Sequence, residues 1–158
     1  MKGMIIMEKF VIAIGSDHKG FNHKKSIIEY LEKNGYKVLD FGPFNEDSVD
    51  YPDYATKVCK SVQTKEANYG ILICYTGIGM SIVANKHNSI RAALVGSVEN
   101  AKLTRNHNNA NVLCIGAKDT NIELTLEIVE KFISESFAGE RHTNRVNKIT
   151  EVELNEKR

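Results

Sequence analysis

Short apolar runs alternate with amphipathic segments along this chain, and the alternation limits its possible folds more than any other feature of the sequence. Each run suits a strand buried on both faces, and successive runs are roughly 30 residues apart, as in βαβ units. Such units build a parallel, doubly wound sheet with helices on both faces. We predict strands at 10–14, 36–41, 71–73, 90–95 and 111–116.

The segments between these strands show the apolar spacing of helices. We predict helices from Phe21 to the stop at Asn34-Gly35, from Asp50 through Val62, after Gly79, at 98–105 and at 122–137. From Gly139 onward the sequence is charged and has only a thin apolar stripe, so it predicts a helical arm at 139–158 that docks on this subunit or a partner. The sequence contains no domain linker, and residues 1–158 are predicted to form a single domain.

The stretch Gly70–Lys86 combines a strand, a glycine turn and a helix start. The buried run ends at Cys74, and Thr76-Gly77-Ile78-Gly79 then brings backbone N–H groups to the positive end of a helix dipole. This arrangement attracts an anion beside a thiol that can act as a base or nucleophile. A tight turn with a buried structural cysteine is the alternative.

Ligands of parallel α/β sheets bind at the carboxyl ends of the strands. The segments after the first, third, fourth and fifth strands should therefore share one crevice, with Asp17-His18, Cys74–Gly77, Ser97–Glu99 and Lys118. Each feature also has a plainer interpretation: Asp17 caps a helix, 104–109 is a polar loop, and Arg141 and Arg145 are a solvated pair on one helix face.

Three phosphate-binding motifs are incomplete in this sequence. Gly15 and Gly20 have P-loop spacing, but Phe21 follows where a lysine is required. Gly77 and Gly79 begin a dinucleotide fingerprint whose third glycine is replaced by Ile82. The arginine expected six residues after the nucleophile of a cysteine phosphatase is Met80 here. These three classes are therefore excluded.

Charge and hydropathy argue against two classes of partner. Lys and Arg total 21 against 20 Asp and Glu, so the sequence has no basic footprint for nucleic acid. No apolar segment approaches the ~20 residues that a membrane-spanning helix needs. The histidines form no close ligand pair, so we expect no bound metal.

Cysteine usage bears on the compartment of the protein. The chain has three cysteines, Cys59, Cys74 and Cys114, without CxxC spacing, which predicts neither a zinc site nor a disulfide framework. With no signal-like segment at the start, we expect a cytoplasmic protein. The translation start remains open among Met1, Met4 and Met7.

Taken together, these motifs resemble those of the type B ribose-5-phosphate isomerases, within the ribose/galactose-phosphate isomerase family. The resemblance extends from about Lys9 to Ile149. Its segments, in chain order, are SDHKGF (16–21), DYPDYA (50–55), GILIC-TGIG-SI-ANK (70–86), SIRAAL (89–94), RNHNNANVL (105–113) and GERHTNRV (139–146).

The resemblance implies an aldose–ketose isomerase that interconverts ribose 5-phosphate and ribulose 5-phosphate through an enediolate, in the pentose phosphate pathway. It implies a Rossmann-like α/β/α sandwich with five parallel strands, and chemistry without metal or cofactor. It also implies homodimers, often paired into homotetramers, in which two subunits share each site.

The resemblance also assigns roles to individual residues. Cys74 resembles the general base that moves a proton between C2 and C1, and Gly77 and Gly79 the backbone donors to the enediolate oxygen. Further correspondences are ring opening by Asp17, Thr76 and His107, a substrate contact by Asn108, a phosphate set of His18, Arg141 and Arg145, a sugar-lining Tyr51, and a motif hydroxyl in Ser81.

Two residues depart from the family pattern. Tyr75 stands where a glycine usually follows the cysteine, and Lys118 replaces a phosphate-binding arginine, keeping the charge but losing the bidentate fork. Isomerisation of a six-carbon substrate such as allose or galactose 6-phosphate therefore stays open. So does a phosphosugar sensor that has lost catalysis because Tyr75 blocks the turn.

Overall fold

The computed structural model describes residues 9–156, which contain a five-stranded, all-parallel sheet with strand order β2-β1-β3-β5-β4. The strand order reverses between β1 and β3, which makes a crevice outside their carboxyl ends the expected ligand position. The predicted parallel, doubly wound sheet is thus confirmed. Its strands are β1 Val11–Ser16, β2 Lys37–Asp40, β3 Tyr69–Cys74, β4 Ala92–Leu94 and β5 Val112–Gly116.

Helices cover both faces of the sheet and complete a three-layer α/β/α sandwich. They are α1 Phe21–Lys33, α2 Tyr51–Gln63, α3 Ile78–Ala84, α4 Val98–Asn108, α5 Ile122–Ser134 and α6 Arg141–Glu156. Residues of α1, α4 and α5 form one apolar core with alternate strand positions, and residues of α2 and α3 form the other. Successive strand residues point to opposite faces, so Ile73 belongs to the first core and Cys74 to the second.

Two predicted elements, the fourth strand and the fourth helix, have the wrong extent. The fourth strand covers only Ala92–Leu94, and the fourth helix continues to Asn108 instead of ending at Arg105. Thr104 and Arg105 are also buried, although the polarity of 104–109 argued for a loop. The Arg105 guanidinium can be buried because it donates to the Ala110 carbonyl at 2.6 Å and to the Tyr69 hydroxyl at 2.8 Å.

The C-terminal arm is one helix, α6, whose start packs against α4. Its His142 and Val146 are buried, whereas Ile149 and Val152 are 49% and 63% exposed. Between α6, the end of α3 and the start of β4 lies a groove of about 790 Å³. The outer apolar face of this helix therefore has no partner among residues 9–156 of the same chain. The possible starts Met1, Met4 and Met7 lie outside the described residues.

A buried ion pair fixes the loop that leads from β2 to α2. Lys24 Nζ lies 2.8 Å and 3.0 Å from the two Asp40 carboxylate oxygens, and its side chain is only 3% exposed. The same carboxylate accepts the Gly42 backbone N–H at 2.9 Å, so the pair also anchors the first turn of the loop.

We expect Asp40→Asn to lower the free energy of unfolding by about 3 kcal/mol, because it leaves the Lys24 ammonium buried without a counter-charge. This value is at the low end for a buried pair, since Asp40 retains some exposure. Urea unfolding at fixed protein concentration measures the change. Asp47→Asn, in the exposed part of the same loop, is the control. Equal losses for the two variants would contradict a stabilising role of the pair.

Candidate active site

The carboxyl ends of the central strands bring several candidate residues together. Ser16 of β1 is paired with Ile73 of β3, and the next residue, Asp17, donates its backbone N–H to the Ile73 carbonyl at 3.1 Å. On the other side of β3, Cys74 is paired with Gly116 of β5. The predicted grouping of the segments after the first, third and fifth strands is therefore present.

Cys74 is 5% exposed, and its sulfur faces the glycine turn that follows β3. The Gly77 backbone N–H donates to Cys74 Sγ at 3.1 Å. Gly77 adopts φ of +76°, and a Cβ there would lie 2.5 Å from Leu94 Cδ1 and 2.8 Å from the Ile115 carbonyl carbon. Because no side chain fits at this position, the turn can hold its N–H against the thiol.

The other two cysteines lie deeper in the structure and serve as a comparison. Burial raises the pKa of Cys59 to about 12, and burial raises the pKa of Cys114 well above its usual value. Both thiols pack in the core between the sheet and α2–α3. Cys74 alone among the three stands at a strand end beside a turn of backbone donors.

The glycine turn is packed against the first residue of α2. A Cβ on Gly79 would lie 2.5 Å from Tyr51 Cζ, so the phenol ring covers the backbone of the turn. Thr76 Oγ1 accepts the Ile78 N–H at 3.3 Å, and Ser81 Oγ donates to the Ile78 carbonyl at 2.8 Å. The hydroxyls of Thr76 and Ser81 thus hold the start of α3 in place.

Asp17 and His18 lie in the turn between β1 and α1. The Asp17 carboxylate accepts the backbone N–H groups of Lys19 and Gly20 at 2.9 and 3.0 Å, which fixes the turn before α1. The N-cap of α1 is Gly20 and has no side-chain cap, so the interpretation of Asp17 as the helix cap is wrong. His18 Nδ1 lies 3.3 Å from the Val49 nitrogen that donates to it. That bond leaves His18 Nε2 as the nitrogen available to a ligand.

Tyr75 stands at the outer rim of this region. Its side chain is 50% exposed, its ring centroid lies 6.0 Å from Lys19 Nζ, and its carbonyl accepts the Lys118 N–H at 2.8 Å. The residue is not among those with positive φ, so the backbone at this position does not require glycine. The Lys118 ammonium is exposed, 3.6 Å from the Asp119 carboxylate. Tyr75 therefore adds a phenol to the rim without straining the turn.

The remaining candidates lie at the opposite edge of the sheet. Helix α4 begins after the carboxyl end of β4 and runs for 11 residues, about 16 Å, toward the start of β5. His107 and Asn108 form its last turn, and the left-handed residue Asn109 then directs the chain into β5. Within one chain, the sheet therefore separates His107 and Asn108 from Cys74.

Arg141 and Arg145 belong with His107, because α6 starts beside the end of α4. The rings of His107 and His142 are stacked, with centroids 4.3 Å apart and an angle of 13° between their planes. Arg141 and Arg145 are exposed on the same first turns of α6. The candidates thus form two groups, a carboxyl-edge group and an amino-edge group (His107, Asn108, Arg141 and Arg145). The members of the carboxyl-edge group are Asp17, His18, Tyr51, Cys74, Thr76, Gly77, Gly79, Ser81 and Lys118.

The stacked His142 is a residue that the sequence analysis did not single out. Burial, His107 and the guanidinium groups of Arg141 and Arg145 lower the pKa of His142. Its spacing of four residues from the buried Val146 was the available indication, since such residues share one helix face.

The thiol, the glycine turn and the aspartate lie together at the switch point of a parallel sheet. This arrangement is that of an α/β protein with a ligand crevice at its strand ends. The model of the Ribose/Galactose Isomerase family matches residues 12–149. That match covers nearly all of the fold, and the chain belongs to this family.

Individual relatives agree with the family match. The chain is 42% identical over 142 residues to ribose-5-phosphate isomerase B of Escherichia coli, covering 90% of this chain and 95% of the relative. The Clostridium thermocellum ribose-5-phosphate isomerase B structure superposes with a TM-score of 0.90 and 46% identity, covering 92% of this chain and 98% of that one. The Thermotoga maritima ribose 5-phosphate isomerase structure superposes with a TM-score of 0.88 and 48% identity, covering 90% of this chain and 98% of that one.

Two searches of the described residues concern other classes of site. Among residues 9–156, no group of three or more His, Cys, Asp or Glu side chains is arranged to hold a metal ion. In the same part of the chain, no helix is long and apolar enough to cross a membrane.

Proposed function

We propose that this protein is an aldose–ketose isomerase that interconverts ribose 5-phosphate and ribulose 5-phosphate through an enediolate. The observation that carries the proposal is the Cys74 thiol at the end of β3, held 3.1 Å from a backbone N–H of the glycine turn. The names of the relatives, all at 42–48% identity, support the same substrate pair. From its cysteine usage we also propose a cytoplasmic location.

In this proposal the Cys74 thiolate removes the C2 proton of the open-chain aldose, the O2 hydroxyl proton moves to O1, and the thiol then returns the first proton to C1. The charge moves from sulfur to the substrate, which becomes an enediolate. Once the thiol is neutral, its sulfur is a poorer acceptor than the enediolate oxygen, so the Gly77 N–H then donates to that oxygen. The Gly79 N–H is a second donor to the same oxygen. Preorganised backbone donors of this kind are each worth about 3–4 kcal/mol in a transition state.

Ring opening and phosphate binding are assigned to the remaining candidates. Asp17, Thr76 and His107 would move the protons that open the furanose ring, and Asn108 would hold the substrate. His18, Lys118, Arg141 and Arg145 would bind the phosphate, and Tyr51 would line the sugar. A phosphate remote from the reacting carbons supplies binding energy that positions them.

We infer that the complete site is made by two subunits of a homodimer. In one chain, the carboxyl-edge and amino-edge groups lie at opposite ends of the strands. They can therefore meet only if a second copy places its α4 and α6 beside the carboxyl-edge group of the first. The exposed Ile149 and Val152 on α6 give that helix an apolar face for such a contact. In this proposal a second copy of the chain covers the apolar face of α6.

A six-carbon sugar phosphate is the second candidate substrate, and Tyr75 is the observation that favours it. A half-exposed phenol beside Lys19 changes the outer wall of the crevice, where the sugar chain would lie. The same phenol could instead block turnover and leave a phosphosugar sensor.

An assay of the purified protein with ribose 5-phosphate, allose 6-phosphate and galactose 6-phosphate tests the proposal. We expect the highest kcat/KM for ribose 5-phosphate, unchanged after dialysis against a chelator. Saturable binding without turnover would favour the sensor, and loss of activity with the chelator would contradict metal-independent chemistry.

In the same assay, we expect Tyr75→Gly to change the ratio of kcat/KM between five- and six-carbon substrates by about 10-fold. A pocket difference of roughly one methylene-sized contact is worth about 1–3 kcal/mol, which shifts selectivity without reversing it completely. Tyr75→Phe keeps the ring and is the matched control. Unchanged ratios in Tyr75→Gly would show that the phenol points away from the substrate.

A further inference from the structure

The stacked rings of His107 and His142 are a built feature of the amino-edge group. Their planes differ by 13° at a centroid distance of 4.3 Å, a parallel arrangement that two cationic imidazoles would oppose. His142 is buried, whereas His107 is half-buried. His142 is thus the supporting ring of the pair, and His107 is the more accessible one.

Hydrogen bonds join the two segments that carry these rings. The Asn106 carbonyl accepts the Ala138 N–H at 3.0 Å, and its side chain donates to Glu135 at 3.2 Å, so the residue next to His107 ties α4 to the segment before α6. Gly139 and Glu140 then both have positive φ, +67° and +50°. Such a turn is costly for a glutamate, so its presence indicates that the direction of α6, and with it His142, is closely specified.

The surroundings of the pair lower the pKa of His142 and so favour its neutral form. His142 lies in the first turn of α6, where the helix dipole opposes a cation, and Arg141 and Arg145 stand on the same turns. His107 lies in the last turn of α4. The charged groups facing the pair are Arg141, Arg145 and Glu140 from the α6 side and Glu135 near the end of α4. Of these only Glu140 favours protonation of His142.

We propose that His142 is a positioning residue whose stacked ring holds His107 in the orientation that opening of the sugar ring needs. This inference rests on the proposed function. His142 itself touches no substrate. Its contribution is a flat aromatic surface against which the His107 ring is stacked.

The test compares His142→Phe, His142→Ala and, as a control on the exposed side of the same helix, Asn144→Ala. Turnover of ribose 5-phosphate requires ring opening and then proton transfer. Exchange of the C1 proton of ribulose 5-phosphate with D2O, followed by NMR, requires only proton transfer, because the phosphorylated O5 of that ketose cannot close a five-membered ring. Unfolding midpoints of all variants report on stability.

We expect His142→Ala to lower kcat/KM for ribose 5-phosphate by about 10- to 100-fold, part of the usual range for a displaced general acid or base, with exchange of ribulose 5-phosphate nearly unchanged. His142→Phe should remain within about threefold of the parent in both measurements, because it keeps a neutral stacked ring.

Three results would overturn the inference: equal losses in turnover and exchange for His142→Ala, no loss at all, or a His142→Phe variant as impaired as His142→Ala. The last would assign the role to a ring nitrogen. Failure of the parent protein to turn over ribose 5-phosphate is a separate outcome, since it would refute the proposed function before any variant is compared.

Discussion

Replacing Cys74 with alanine is expected to lower kcat for ribose 5-phosphate by at least 10²- to 10⁴-fold, the usual cost of losing a positioned base. Binding of the substrate should remain nearly intact, because the phosphate contacts lie elsewhere. Initial rates and isothermal titration calorimetry measure the two effects. Cys59→Ala removes a core thiol whose pKa burial has raised, and it is the matched control that should keep its activity.

Near-normal turnover by Cys74→Ala would assign the base to another residue. Chemical modification gives an independent check: iodoacetate should inactivate the parent protein, and saturating substrate should slow that inactivation. Equal rates of inactivation with and without substrate would contradict an active-site thiol.

Arg141→Ala and Arg145→Ala should each raise KM for ribose 5-phosphate by about 10- to 150-fold. Each removes a charged hydrogen bond to the phosphate dianion, worth roughly 1.5–3 kcal/mol. Steady-state kinetics measure the change. Lys148→Ala is the matched control, since it removes an exposed positive charge from the same helix. An unchanged KM in both arginine variants would mean that the pair is merely solvated.

Mixing variants tests where these arginines act. If cysteine and arginine come from different chains, a mixed dimer of Cys74→Ala and Arg141→Ala contains one site with both residues intact. Activity should therefore reappear after subunit exchange, approaching a quarter of the parent value for random pairing. No recovery, with exchange verified by mass spectrometry, would show that each chain serves its own site.

The sequence predicted the sheet and the carboxyl-edge group because both depend on local patterns. Apolar runs such as Ile71–Ile73 can be buried only as central strands, and the strand-end rule then places Asp17 beside Cys74. The resemblance marked Tyr75 as a departure from the family pattern, and its unstrained backbone could be learned only from the structure.

The position of His107 could not be predicted in the same way. The sequence pattern predicts that the fourth helix ends at Arg105, and the polarity of 104–109 is typical of a loop. In the structure Arg105 is buried through long-range hydrogen bonds, the helix continues, and His107 is carried to the far edge of the sheet. Such bonds join residues distant in sequence, for example Arg105 and Tyr69, and local spacing does not reveal them.

The separation of Cys74 from His107 and Arg141 by the sheet has a genetic consequence under the proposed sharing. A chain that is defective in only the carboxyl-edge group or only the amino-edge group can pair with a normal chain, and that dimer still contains one complete site. A chain defective in both halves leaves none, because each site of the mixed dimer then contains one damaged half. With equal expression and random pairing, about a quarter of the dimers would contain two normal chains, so about three quarters of the sites of an all-normal pool of equal size would be lost. Double defects in this fold would therefore be dominant, whereas single defects would be partly masked.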